Sequence, residues 1–194
     1  MPASCCWNEK ELEETLVNIL DYIDRAALSD IMRFIAGFYT TWREEHKLPK
    51  TCIGVVKERI KKEELKDIGT CLLIISLMLR DDARRLLGDI INRLGTIFTN
   101  RIEDSSLHDI SSFLDGVSMI DIDLAKHMVA ENTNTLRGIF AREILRCGVE
   151  EIARFLFVLA QIDKNLASTM FRENLEHLER MFGSGRKTLE RIIA

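Results

Sequence analysis

One stretch of this chain occurs twice, and that repetition constrains the fold more than any other feature. The segment DISSFLDGVSMIDIDLAKHM, from Asp109 to Met128, returns as EIARFLFVLAQIDKNLASTM, from Glu151 to Met170, at a spacing of 42 residues. Positions with this spacing are termed matched positions. Many of them carry identical residues: Ile110 and Ile152, Phe113 and Phe155, Leu114 and Leu156, Ile120 and Ile162, Asp121 and Asp163, Leu124 and Leu166, and Ala125 and Ala167. A fixed period of this length predicts a helical-repeat protein.

The same period extends upstream of Asp109. The matched positions there carry equivalent residues: Asp67, Ile68, Leu72, Ala83, Leu94 and Phe98. Phenylalanine therefore recurs at positions 98, 140 and 182. A shorter copy opens with LSDI at Leu28, which is similar to LKDI at Leu65 and LHDI at Leu107. Because terminal units of a repeat array are commonly atypical, this shorter copy is interpreted as a degenerate first repeat.

The composition favours helices throughout the chain. Of the 194 residues, 46% are hydrophobic and only two are proline, and Leu, Ile, Ala, Glu, Lys and Arg dominate. This composition is typical of helices rather than sheets. We therefore predict an all-α fold, namely a right-handed α-solenoid of about three and a half three-helix repeats with a period of 42 residues.

The period divides the chain as a single helical-repeat domain. We predict a flexible tail at 1–8, an N-terminal capping helix at 9–26, a degenerate repeat 1 at 27–62, repeat 2 at 63–105, repeat 3 at 106–147, repeat 4 at 148–183 and a C-terminal cap at 184–194. Repeat 1 is expected to contain a helix at Thr51–Lys62 whose residues Val56 and Ile60 face inward. Each full repeat is expected to have a longer first helix, a short second helix and a longer third helix, which we place at Thr135–Arg146 in repeat 3 and Arg172–Phe182 in repeat 4.

Polar residues mark the expected helix starts. Ser106 and Asp109 have the spacing of a capping box, with Asp in place of the usual Glu. Asp121 or Asp123 is expected to cap the second helix of repeat 3, and Asp163 the second helix of repeat 4. The alanines at matched positions 83, 125 and 167 suit sites where two helices approach closely.

The first helix of repeat 2, LKDIGTCLLIISLML from Leu65 to Leu79, is apolar on nearly every side. Such a helix is expected to be enclosed by its neighbours. It is shorter than the roughly 20 residues that span a bilayer, so we predict no membrane segment. The formal net charge of −4 gives no global attraction to anionic lipid or nucleic acid. We predict a cytoplasmic protein.

A period near 42 built from three helices resembles the armadillo and HEAT α-solenoids. The wording FLDGVSMIDIDLAKHM, from Phe113 to Met128, is also similar to helical repeats downstream of the nucleotide-binding module in some prokaryotic signal-transducing NTPases. The resemblance covers about residues 27–182. It implies an interaction or sensing surface rather than a site of chemistry.

No candidate motif has the pattern that its chemistry requires. The segment FGSGRKT, from Phe182 to Thr188, suggests a phosphate loop, but Arg186 separates the glycine from the lysine and the motif follows a helix rather than a strand. The histidines at 46, 108, 127 and 177 and the cysteines at 5, 6, 52, 71 and 147 lack the spacing of metal ligands. Asp121 and Asp163 fit helix caps better than catalytic acids. The sequence therefore predicts no enzyme, no cofactor and no metal site.

The predicted function is that of a protein–protein interaction scaffold, adaptor or sensor whose partner is another protein. The alternative is nucleic-acid binding through a stripe of arginines. That stripe would consist of Arg137, Arg142, Arg146, Arg154, Arg172 and Arg180.

The sequence leaves the interaction surface unknown. Specificity is expected at matched positions that differ, such as Asp115 against Phe157 and Met119 against Gln161. Phe157 fits either an exposed anchor for a partner or a buried residue of the stack. Three apolar residues near the carboxyl end need cover, by folding back as a cap or by pairing in a homodimer: Leu189, Ile192 and Ile193.

Overall fold

The structure is a computed structural model of the whole chain. It describes residues 50–79 and 83–182, together with the separate positions 14, 28 and 31–33. The chain divides into two compact units, Met1–Glu63 and Glu64–Ala194. Every regular element among the described residues is a helix, which confirms the all-α prediction. The predicted tail, the predicted C-terminal cap and all of the predicted capping helix except Glu14 lie outside the described residues.

In the first unit the structure describes one helix, α1 (Lys50–Ile60). Its bounds lie within two residues of the predicted helix at Thr51–Lys62. Val56 and Ile60 are buried, as predicted. Just beyond the helix, Glu63 forms an ion pair with Arg59 at 2.8 Å, one turn earlier in the chain.

The second unit contains nine helices among its described residues. They are α2 (Leu65–Leu79), α3 (Ala83–Leu87), α4 (Asp89–Arg101), α5 (Leu107–Ile120), α6 (Ile122–Glu131), α7 (Thr133–Glu143), α8 (Val149–Ile162), α9 (Lys164–Glu173) and α10 (Leu175–Phe182). One turn of 3₁₀ helix, Ile102–Asp104, follows α4. The helices α5 and α8 each have 14 residues, and α6 and α9 each have 10.

The predicted caps are confirmed at the helix starts. The Ser106 hydroxyl accepts a hydrogen bond from the backbone N–H of Asp109 at 3.2 Å, and the Asp109 carboxylate accepts one from the N–H of Ser106, which completes a capping box. The Asp121 carboxylate accepts from the N–H of Leu124 at 3.1 Å. The Asp163 carboxylate accepts from the N–H of Leu166 at 2.9 Å. Each contact satisfies a backbone donor that a helix start leaves free.

The predicted bounds of the third helices are wrong. The helix α7 begins at Thr133 instead of Thr135 and ends at Glu143 instead of Arg146, and α10 begins at Leu175 instead of Arg172. The cause is an asparagine at each junction. The side-chain amide of Asn132 donates to the carbonyl of Met128 at 2.9 Å, and that of Asn174 donates to the carbonyl of Met170 at 2.8 Å. These bonds end the short helix and let the next one begin at once.

Stacked phenylalanine rings join neighbouring repeats. Phe98 of α4 stacks on Phe113 of α5 with ring centroids 5.3 Å apart, and Phe140 of α7 stacks on Phe155 of α8 at 5.5 Å. All four rings are buried. Each pair connects the third helix of one repeat to the first helix of the next, so the recurring phenylalanines lie at the junctions between repeats.

The first helices α2 and α5 pack against each other more extensively than any other two helices in the described part of the chain. A Cβ atom added to Gly69 would lie 2.2 Å from the Ser112 carbonyl oxygen, and one added to Gly116 would lie 2.4 Å from the Gly69 oxygen. The two backbones therefore touch, which only residues without a Cβ atom allow. The alanines at 83, 125 and 167 are buried as predicted, but the backbone contact lies at the glycines.

Candidate interaction surface

The residues that recur with the period are occupied in packing and capping. Phe113 and Phe155 lie in the ring stacks, and Asp121 and Asp163 cap helices. Since each of these groups already has a structural partner, a binding surface has to be sought among the exposed residues that vary between repeats.

Three exposed apolar residues lie at the carboxyl ends of α2 and α5: Leu77, Met119 and Ile122. This group is named the Leu77 patch. Leu77 is 63% exposed and Met119 is 54% exposed. The prediction that neighbours enclose α2 on every side is therefore wrong. Hydropathy alone predicted a buried helix, whereas α2 leaves one side at its carboxyl end without a neighbouring element to cover it.

The packing of α2 on α5 places Leu77 beside Met119. Gly69 faces Ser112, and a Cβ atom added to Gly116 would lie 3.0 Å from the Cβ atom of Leu72. Residue numbers thus increase together along the two helices, so the helices run parallel. Leu77 and Met119 occupy matched positions, and following this correspondence along both helices brings them to the same end of the packed pair. Ile122 begins the next helix, directly after the turn that follows Met119.

A second exposed apolar group lies on α8. Phe157 is 48% exposed and Val149 is 41% exposed. Of the two interpretations of Phe157 left open by the sequence, the exposed one is correct. Ala153 is half-buried between these two residues. Val149, Ala153 and Phe157 are spaced four residues apart and so form one row along the helix, which is named the α8 row.

The six arginines of the alternative hypothesis do not form a row at matched positions. Arg137 of α7 pairs with Glu173 of α9 through two hydrogen bonds, and the guanidinium of Arg142 lies 2.8 Å from Glu143. The positions matched to the arginines carry other residue types, among them Asp104, Ser112, Ala130, Gly138 and Glu179. Stacking the repeats therefore aligns no arginine with another.

The candidate chemical groups stay apart in the described residues. His127 lies 3.2 Å from Glu131, one turn along α6, while His108 and His177 are half-buried at the starts of other helices. Among the residues that the structure describes, no three His, Cys, Asp or Glu side chains come together as a metal site would require. Of the FGSGRKT segment, only Phe182 belongs to a described helix, and residues 183–188 lie outside the described range.

The two described cysteines are poor nucleophiles. Burial raises the pKa of the Cys71 thiol far above its usual range. Burial, a hydrogen bond to Glu151 and the negative charges of Glu151 and Glu143 raise the pKa of Cys147 to about 11. Both thiols are protonated at neutral pH, whereas the thiolate is the reactive form.

None of the described helices is both long enough and apolar enough to cross a lipid bilayer. No protein-family model matches the chain, and neither curated proteins nor solved structures give a match. The assignment of function therefore depends on the geometry of this chain.

Proposed function

We propose that this protein is a non-enzymatic protein-binding scaffold, adaptor or sensor built as a right-handed α-solenoid. In this proposal repeats 2, 3 and 4 are three-helix units with a period of 42 residues. Two observations support the repeat arrangement. The helices α8, α9 and α10 begin 42 residues after α5, α6 and α7, and the same phenylalanine stack joins each repeat to the next.

The binding surface in this proposal is the Leu77 patch. One observation carries it: Leu77 and Met119, at matched positions on two parallel packed helices, are both more than half exposed. Large apolar side chains that lie together at a surface commonly mark a site of protein interaction. Methionine suits such a site because its flexible, polarizable side chain adapts to different partners.

The proposed partner is a protein segment that presents apolar side chains, such as one face of an amphipathic helix. The floor of the site is rigid, because the backbones of α2 and α5 touch at Gly69 and Gly116. A preformed surface loses little conformational entropy on binding, which favours affinity. The charged residue Asp123, just beyond Ile122, is exposed and supplies a polar rim.

Affinity capture from the native cell extract tests this proposal. Tagged wild-type protein is compared with the double variant Leu77→Ser/Met119→Ser and with the control Leu145→Ser. Leu145 is 66% exposed and lies in the turn after α7, outside the Leu77 patch. We expect a partner that survives nuclease treatment, that the double variant loses by at least about tenfold and that the control retains.

The variants change exposed side chains only, so thermal melting should show all three proteins folded. Recovery of the same partner by the double variant would contradict the placement of the site. Partners that disappear on nuclease treatment, with nucleic acid in the eluate, would favour the arginine hypothesis instead.

A further inference from the structure

The α8 row lies on the side of a first helix that the next repeat covers elsewhere in the unit. The positions matched to Val149 are Leu65 in α2 and Leu107 in α5, and these are 1% and 0% exposed. Val149 itself is 41% exposed. At the positions matched to Ala153, Gly69 and Ser111 are buried, whereas Ala153 is half-buried.

The packing of α2 shows what covers this side of a first helix. Gly69 of α2 contacts the backbone of α5, so the side of α2 that carries Leu65 and Gly69 faces the following first helix. The helix α5 in turn packs against α8. The same side of α8 carries the α8 row, which is an apolar surface shaped for another parallel or antiparallel helix.

We propose that the α8 row is a self-association surface, on which α8 of a second copy of this chain packs antiparallel to form a two-fold symmetric dimer. The inference is independent of the proposed function, because it uses a different helix and needs no other protein. A two-fold contact requires a surface that complements itself. The α8 row meets that condition by the sizes of its side chains.

Antiparallel pairing centred between Ala153 and Phe157 brings large side chains against small ones. In this register the Phe157 ring of each copy lies over Ala153 of the second copy, and the two-fold axis produces this contact twice. Val149 of each copy lies near Gln161 of the second copy. Large residues opposite small ones let two helices interdigitate closely.

The polar residues beside the row fit the same register. Glu150 and Gln161 are both exposed and lie on the same flank of α8. The pairing places Glu150 of one copy level with Gln161 of the other, so that the amide can donate a hydrogen bond to the carboxylate. An apolar centre with a polar, hydrogen-bonded rim is typical of protein interfaces.

The chain itself therefore supplies a fitting occupant. Each earlier first helix in the unit is covered by a helix of the same repeat family, and a second α8 continues that series. A helix from an unrelated protein would need the same pattern of small and large residues at the same spacing. The antiparallel register gives this pattern without any further requirement.

Sedimentation velocity of the full chain tests the proposal, with protein between about 1 and 100 µM. We expect the wild type to form a dimer within this range. Phe157→Glu should weaken the dimer by at least about a hundredfold, because it places a charge in the apolar centre of the interface. The control Met119→Glu changes an equally exposed apolar residue of α5 and should leave the dimer intact.

A charge-swap experiment tests the antiparallel register. Ala153→Lys and Phe157→Glu should each be monomeric alone, whereas an equimolar mixture should form a heterodimer in which the introduced lysine faces the introduced glutamate. Circular dichroism should show both variants folded, since the substituted positions are solvent-accessible.

A wild type that remains monomeric at about 100 µM would overturn the proposal and would leave the α8 row to a different protein. A dimer that Phe157→Glu does not weaken would overturn it as well. A mixture of the two variants that stays monomeric would refute the antiparallel register. None of these results depends on whether the Leu77 patch binds a partner.

Discussion

The junction between repeats 2 and 3 and the junction between repeats 3 and 4 share one contact and differ in another. Both contain a stacked phenylalanine pair, with centroids 5.3 Å apart in the first and 5.5 Å in the second. The first helices approach differently. The backbones of α2 and α5 touch at Gly69 and Ser112, whereas the contact between α5 and α8 is less extensive.

Side-chain size accounts for this difference. The backbone contact of the first junction uses Gly69, Ser112 and Gly116. The matched positions at the second junction carry larger residues: Ser111, Arg154 and Val158. Two helices cannot bring their backbones into contact when arginine and valine stand at the crossing. The aromatic pairs thus set which helices meet, and the small residues set how closely they meet.

The largest expected effect is the loss of a stacked ring. Phe113→Ala and Phe155→Ala should each lower the free energy of unfolding by about 4 kcal/mol, because each removes a buried aromatic side chain and leaves a cavity. The two losses should agree within about 1 kcal/mol, since the stacks have the same geometry. Urea denaturation followed by circular dichroism measures both.

Phe157→Ala is the matched control, because its ring is 48% exposed, and it should cost less than about 1 kcal/mol in the monomer. A large gap between Phe113→Ala and Phe155→Ala would show that the two junctions do not share the aromatic contact.

The next effect separates the two junctions. Gly69→Ala should lower the free energy of unfolding by about 3 kcal/mol, because its methyl group would overlap the Ser112 carbonyl and force the helices apart. Gly138→Ala is the control, since a Cβ atom there meets nothing within 4 Å. That variant should instead stabilise the protein by up to about 1 kcal/mol through helix propensity. If both glycines respond alike, the backbone contact between α2 and α5 does not exist.

The smallest effect concerns the caps of the short helices. Asp121→Ala and Asp163→Ala should each cost about 1 kcal/mol, because each removes a side-chain cap. Asp121 also pairs with Arg84 at 2.9 Å, and this largely exposed arginine should add at most about 0.5 kcal/mol. A double-mutant cycle with Arg84→Gln isolates that term. A zero coupling energy would mean that the ion pair does not distinguish the two repeats.

Much of the local structure could be predicted from the sequence. The bounds of α2 and α5, the capping box at Ser106 and the caps at Asp121 and Asp163 follow from short-range patterns of polar and apolar residues. The backbone contact could not be predicted, because it joins Gly69 to Ser112, and these residues are not at matched positions. Aligning the repeats with one another compares equivalent residues and is silent about which different residues touch.

The candidate surface was harder to predict than the fold for a related reason. Leu77 belongs to a nearly continuous apolar run, so its hydropathy predicted burial, but its exposure depends on where the neighbouring helices end. Met119 was identified as a position that differs between repeats, yet its pairing with Leu77 required the parallel packing of α2 on α5. Surface patches arise from several elements at once, whereas periodicity describes one element at a time.

Oxidation of Met119 by hydroxyl radicals, measured by mass spectrometry with and without the captured partner, tests the central claim that the Leu77 patch binds a protein. Met119 is 54% exposed, whereas Met128 and Met170 are 1% and 0% exposed and serve as internal controls. We expect Met119 to be oxidised rapidly in the free protein and protected by at least about tenfold in the complex, while the two buried methionines stay unmodified in both. A complex in which Met119 is oxidised as fast as in the free protein would contradict the claim.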